Sequence, residues 1–201
     1  MSSLFYVFTR PLFYIFIKDP SGDKKWIDWI LPICITFLLF LLLYLSGANP
    51  VITGENGVLQ NLKGFLQIMP GFYLTALAAV ATFSNKNLDL LLPKPAPTIN
   101  IMYNGNKING LELTRRRFLN YLFSYLTTIS LFLYFSIILA EMYVGVKIIN
   151  DSFFQMWVKP WLLFIYATFI WQMLFITIFG LYQLCERIHQ IEQDDINGKE
   201  N

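Results

Sequence analysis

Four long apolar runs dominate the chain, and its polar positions are swept into the segments between them. Trp29 to Ala48, Gly64 to Asn85, Phe118 to Ala140 and Trp161 to Leu184 contain no Asp, Glu, Lys or Arg. A helix rising 1.5 Å per residue needs about 20 such residues to cross roughly 30 Å of hydrocarbon. Lipid offers no partner to a backbone N–H or C=O, so segments this apolar must close their own hydrogen bonds. The two-residue alternation of a barrel strand is missing. The pattern predicts an all-α integral membrane protein with transmembrane helices over 26–48, 64–85, 118–140 and 161–185.

The flanking segments have characters of their own. Residues 1–25 hold Leu4, Phe5, Phe8, Leu12, Phe13, Ile15 and Phe16 among two tyrosines, interrupted by Arg10 and Pro11. This stretch is too short to cross and too apolar for water. It predicts an amphipathic helix at the membrane interface, kinked or restarted at Pro11, or a segment packed between neighbouring subunits. Residues 86–117 are the largest polar stretch. Pro93 to Pro97 (PKPAP) predicts a stiff spacer that lifts the chain from the membrane. Asn104 and Gly105 then favour a type I′ turn between two short strands, a small hairpin. Thr114 is placed to cap the third span. Loops fill 49–63 and 141–160, and the acidic tail 186–201 continues the fourth helix for about two turns before fraying.

Charge orients these elements. Arg10, Lys18, Lys24 and Lys25, then Lys86, Lys94, Lys107, Arg115, Arg116 and Arg117, then Arg187 and Lys199 all fall on one side; only Lys63, Lys147 and Lys159 fall on the other. The basic side faces the cytoplasm, which puts both termini inside a cell (inner) membrane crossed four times. Ser46, Gly47 and Ala48 would suit a signal-peptide cleavage site. The apolar run before them exceeds an h-region, however, and some two dozen residues precede it, so the first span should stay attached.

Composition narrows the function. Charged residues are 14% of the 201 and hydrophobic ones 56%, against about 25% charged in a soluble domain. A net charge of +2 without a basic stripe gives no case for direct nucleic-acid contact. Cys34 and Cys185 lack a CxxC spacing and read as packing residues. His189 is the sole histidine, which excludes HExxH sites and multi-histidine metal centres. With no Walker A sequence either, neither an enzyme nor a cofactor or metal site is expected.

Candidate residues are therefore those of packing and contact. Gly71, Thr75, Ala78, Ala79 and Thr82 form a stripe of small residues at helical spacing in the second span, suited to close helix approach or to a pore lining. Pro70 beside it should bend the helix. Gln172, the one amide at mid-membrane depth, calls for a partner, in a subunit contact or a substrate site. No ionisable residue lies deep in any of the four runs, which counts against proton relays. Arg115, Arg116 and Arg117 are expected at the level of anionic lipid headgroups, as orientation signal or as lipid or partner contacts.

GFYLTALAAVATF (Gly71 to Phe83), LDLLLPKPAP and LTRRRFLNYLFSYL (Leu113 to Leu126) together resemble the KwaA-like membrane subunits of the Kiwa anti-phage defence system. The resemblance covers about a quarter of the chain. It implies a homo-oligomeric membrane sensor that detects disturbance of the envelope and holds a cytosolic, KwaB-like effector acting on phage DNA. The competing expectation is a small oligomeric channel or transporter, motivated by the hydroxyl-bearing helix faces.

Overall fold

The computed structural model describes residues 9–47, 57–82, 86–92, 96–103, 106–142 and 158–197. Each apolar run folds as a helix long and apolar enough to span a membrane. We number these α1 (Asp23–Ser46), α2 (Val58–Thr82), α3 (Arg115–Met142) and α4 (Lys159–Asn197). Helix α1 begins before the charge-free run and stops at Gly47, whose φ of 61° supplies the left-handed C-cap. Thr114 precedes α3 and its Oγ1 accepts from the Arg117 N–H at 3.4 Å, the capping role expected of it. The tail stays helical as far as Asn197, beyond the expected two turns.

Packing is uneven. Helices α2 and α3 form the most extensive pair, α1 lies mainly on α4, and α3 also meets α4. The buried positions of α3 include Phe118, Leu122, Leu126, Ser130, Leu133 and Ile137, spaced three and four apart so that one face fills the interior. Gly180 lets α4 approach that face: a Cβ there would stand 3.0 Å from Leu122 Cδ2. Across the α1–α4 contact, Phe40 meets Phe164 and Trp29 meets Phe169 edge-on. The hydroxyls of Thr36, Thr75, Thr82, Thr127, Thr128, Thr168 and Thr177 each donate to the carbonyl four residues back, so their polarity is satisfied within their own helix.

Polar contacts hold α2 and α3 at both ends. Lys63 reaches Glu141 at 2.5 Å where α2 begins and α3 finishes. At the other end Arg116 pairs with Asp89 at 2.7 Å, while its Nη1 donates to the carbonyls of Val80 and Ala81 at 2.9 and 3.3 Å. Those carbonyls lie in the last described turn of α2, and carbonyls at a helix end take partners from outside the helix.

The segment between α2 and α3 contains a hairpin, β1 (Thr98–Tyr103) with β2 (Asn106–Glu112), as the sequence pattern predicts. Asn104 and Gly105, expected to make its turn, lie outside the described residues. An irregularity between Ile99 and Ile101 inserts one extra residue on β2, where Gly110 has a φ of 68° and donates its N–H to Asn100 Oδ1 at 2.8 Å. A side chain at that φ would be strained, so a glycine belongs there.

The proline spacer does not lift the hairpin away. Pro93, Lys94 and Pro95 lie outside the described residues, but both flanks are bonded to Leu113: the Leu92 N–H donates to its carbonyl, and its own N–H donates to Pro97, each at 3.1 Å. Leu88, Leu92, Ile99 and Leu113 are buried, because apolar side chains flanking the prolines are better packed on the helix bundle than exposed. The hairpin is therefore seated on one end of the bundle.

Candidate functional site

The N-terminal segment joins that same end. Residues 10–16 form a short 3₁₀ helix with Pro11 in its first turn, where a missing N–H costs nothing. Rather than standing free, it packs on α3: Tyr14 is 1% exposed and stacks on Tyr125 at 5.3 Å, and Phe13 meets Tyr121. Its outer face, with Ile15 and Phe16, is exposed. Immediately beyond, Lys18 and Thr98 exchange two backbone hydrogen bonds of 2.9 Å, tying the segment to β1.

Opposite Tyr14, the first span departs from α-helical geometry. Trp26–Ile30 makes a π-helical turn just ahead of Pro32. In a regular α-helix the Pro32 ring would press on the carbonyl of Asp28, and a wider turn moves that carbonyl clear. The same turn places Asp28 inside the protein, 3% exposed.

A buried polar network results. Lys24 Nζ donates to Asp28 Oδ2 at 2.5 Å, and the Tyr14 hydroxyl donates to Asp28 Oδ1 at 2.9 Å. The Lys24 ammonium also lies 4.3 Å from the Tyr14 ring centroid, a cation–π contact. Tyr125, stacked on Tyr14, donates to Gln172 Oε1 at 3.0 Å. Burial first, and then the Asp28 carboxylate, push the Tyr14 hydroxyl well above the usual tyrosine range, so it remains a donor at every physiological pH. Desolvating Lys24 and Asp28 is costly, and the arrangement persists because both charges are paired and hydrogen-bonded. Four parts of the chain meet here: the N-terminal segment, α1, α3 and α4.

The residues singled out from sequence fall elsewhere, apart from Gln172. The partner that Gln172 calls for is found within the chain, where its Oε1 accepts from the Tyr125 hydroxyl. Of the small-residue stripe, Gly71, Thr75, Ala78 and Thr82 are exposed and Ala79 is half-buried. The face of α2 that packs inward carries Leu66, Pro70, Tyr73 and Val80 instead. That face packs chiefly on α3, and Tyr73 also reaches Thr177 of α4 at 2.8 Å. The arginine triplet divides. Arg115 is buried, Arg116 is committed to Asp89 and the end of α2, and Arg117 is exposed. Successive helical residues point about 100° apart, so three in a row cannot share one surface.

Lys24, Asp28 and Tyr14 escaped the sequence reading because Asp28 sits one residue before the charge-free run. A usable signal was present: Lys24 and Asp28 are four apart, and the carboxylate lies between Trp26 and Trp29 in an otherwise apolar stretch. An ionisable residue in such a stretch calls for a named partner.

Among the described residues, no group of three or more His, Cys, Asp or Glu side chains is placed to hold a metal ion. No family model matches the chain, and neither a curated protein nor a solved structure matches it.

Proposed function

We propose that this chain is a membrane-embedded sensor and scaffold subunit of a prokaryotic anti-phage defence system, with both termini cytoplasmic, that recruits a cytosolic effector. One observation carries the sensing half of the reading. Helix α1, whose apolar stretch is only 11% buried, is joined through Asp28 to Tyr14, and the segment bearing Tyr14 is bonded through Lys18 to the hairpin. A helix whose surroundings are mostly lipid is thereby linked to the polar element best placed to meet a soluble partner. Thinning or bending of the bilayer shifts the tilt of a weakly packed helix, and this linkage passes such a shift to the hairpin. The defence assignment rests on the resemblance of the second span, the proline loop and the start of the third span to KwaA-like subunits.

Co-purification from the native operon in mild detergent tests the reading. Wild-type protein should retain a soluble effector, and Asp28→Asn should weaken its retention or its response to phage. If no soluble partner is retained and deletion of the gene leaves phage sensitivity unchanged, the proposal fails. Tags on the two ends should report the same compartment.

The outward-facing Thr75 and Thr82 favour one second reading. Oligomerisation that turned this face of α2 toward a shared axis would line an opening, as a small channel or transporter requires. Conductance or solute flux in planar bilayers and vesicles supports that reading; silence in both removes it.

A further inference from the structure

A groove of about 490 Å³ opens at the hairpin end of α3, outside the Lys24–Asp28 network. Its floor is one face of the helix: Arg117, Asn120, Tyr121 and Ser124 recur at intervals of three and four residues. Leu113 with Ile101 and Leu111 of the hairpin also line it, as do Arg10 and Pro11 at the head of the 3₁₀ helix. Its lining thus brings together two arginines from distant parts of the sequence, one amide, two hydroxyl-bearing side chains and apolar walls, with no carboxylate.

The geometry points to this groove as a binding site for a phosphate ester, with Arg10 and Arg117 as its cationic clamp. Guanidinium groups present forked donors that match phosphate oxygens, and an apolar margin strengthens that pairing by excluding water. Ser124 and Tyr121 continue the donor set along the helix. Position favours a phospholipid headgroup over free phosphate. Arg117 immediately precedes the charge-free run starting at Phe118, so a phosphate held there leaves the glycerol and acyl chains running toward the apolar part of the helix. The site is independent of the sensor reading, and either can fail without the other.

The test uses the full chain in mild detergent, with thermal unfolding followed in the presence of dihexanoyl phosphatidylglycerol, dihexanoylglycerol or inorganic phosphate. At ten times its dissociation constant, phosphatidylglycerol should raise the midpoint by about 3–5 °C, and dihexanoylglycerol should not. An equal rise with inorganic phosphate identifies a free phosphate site; a rise with the lipid alone identifies a headgroup site. Arg117→Gln, at an exposed position, should weaken binding by about tenfold, and adding Arg10→Gln should abolish the shift. The proposal is overturned if neither phosphate compound raises the midpoint, if dihexanoylglycerol does so equally, or if Arg117→Gln binds phosphatidylglycerol as tightly as wild type.

Discussion

Helices α1 and α3 are both apolar enough to span a membrane, yet 44% of the apolar stretch of α3 is buried within the chain and only 11% of that of α1. Apolarity is therefore not what selects the central helix. In a bilayer, lipid tails are as apolar as leucine, so moving a side chain from lipid to protein gains little by the hydrophobic effect. Close packing and hydrogen bonds decide instead. Helix α3 carries Tyr125, Thr127 and Ser130 among its buried residues, and it meets Gly180, where α4 can come near. Helix α1 is mostly Leu, Ile and Phe, with Leu38, Leu42 and Leu45 all more than half exposed. Its attachment relies on aromatic contacts with α4 and on the hydrogen bond from Tyr14 to Asp28, whose carboxylate is paired with Lys24 of the same helix.

Breaking that ion pair should have the largest effect. Asp28→Ala leaves Lys24 buried without its carboxylate, and we expect a loss of about 3–5 kcal/mol in unfolding free energy. Cys34, exposed on α1, should react with maleimide at an unchanged rate unless α1 rearranges, so a rate change in the variant reports detachment of the helix. The double variant Lys24→Met, Asp28→Leu should recover most of the lost stability, since it removes both charges together. Equal losses in the single and double variants would show that a buried unpaired charge is not the source of the loss.

Cavity substitutions sharpen the contrast between the helices. Leu126→Ala in α3 removes a fully buried side chain and should cost about 2 kcal/mol, chiefly the cavity part of the penalty. Leu42→Ala in α1 should cost under about 0.5 kcal/mol, because lipid refills the space. Similar losses at both sites, measured by unfolding in mixed micelles, would contradict the packing described above. Tyr125→Phe is expected to be milder, about 0.6 kcal/mol and at most about 1.7, in line with hydrogen bonds between membrane helices.

The smallest effect concerns the hairpin end of α3. The hydrogen bond and charge of Arg116 hold the exposed Asp89 carboxyl below its usual range. A lowered folded value means that the stabilisation is present above the unfolded value, about 3.9. It is lost as pH falls through the lower folded value. Acidification from pH 6 toward pH 3 should slightly lower the unfolding midpoint of wild type. Asp89→Asn should reduce that dependence, and an unchanged acid slope in the variant would assign it to other carboxylates.

Much of this architecture was legible residue by residue. A run such as Phe118 to Ala140 announces its helix without help, because hydrocarbon leaves the backbone no other hydrogen-bonded form. The hairpin was equally visible from Asn104 and Gly105 between two short strands. What could not be read was direction around each helix. Within the chain the small-residue face of α2 is turned outward, while Tyr73 and Val80 pack inward. Three consecutive arginines looked equivalent and serve three different surroundings. Asp28 was hidden by its position at the edge of an apolar run, and its burial depends on a π-helical turn that no periodicity signals.

The chain alone thus determined which segments are greasy enough to leave water and which end of the bundle is basic, since both follow from transfer free energy summed over a local stretch. Tertiary structure decided which helix became central, which charges were buried, and which arginines were left to face outward. Those outcomes depend on how side chains distant in sequence fit against one another, and in lipid that fit contributes what hydrophobicity cannot.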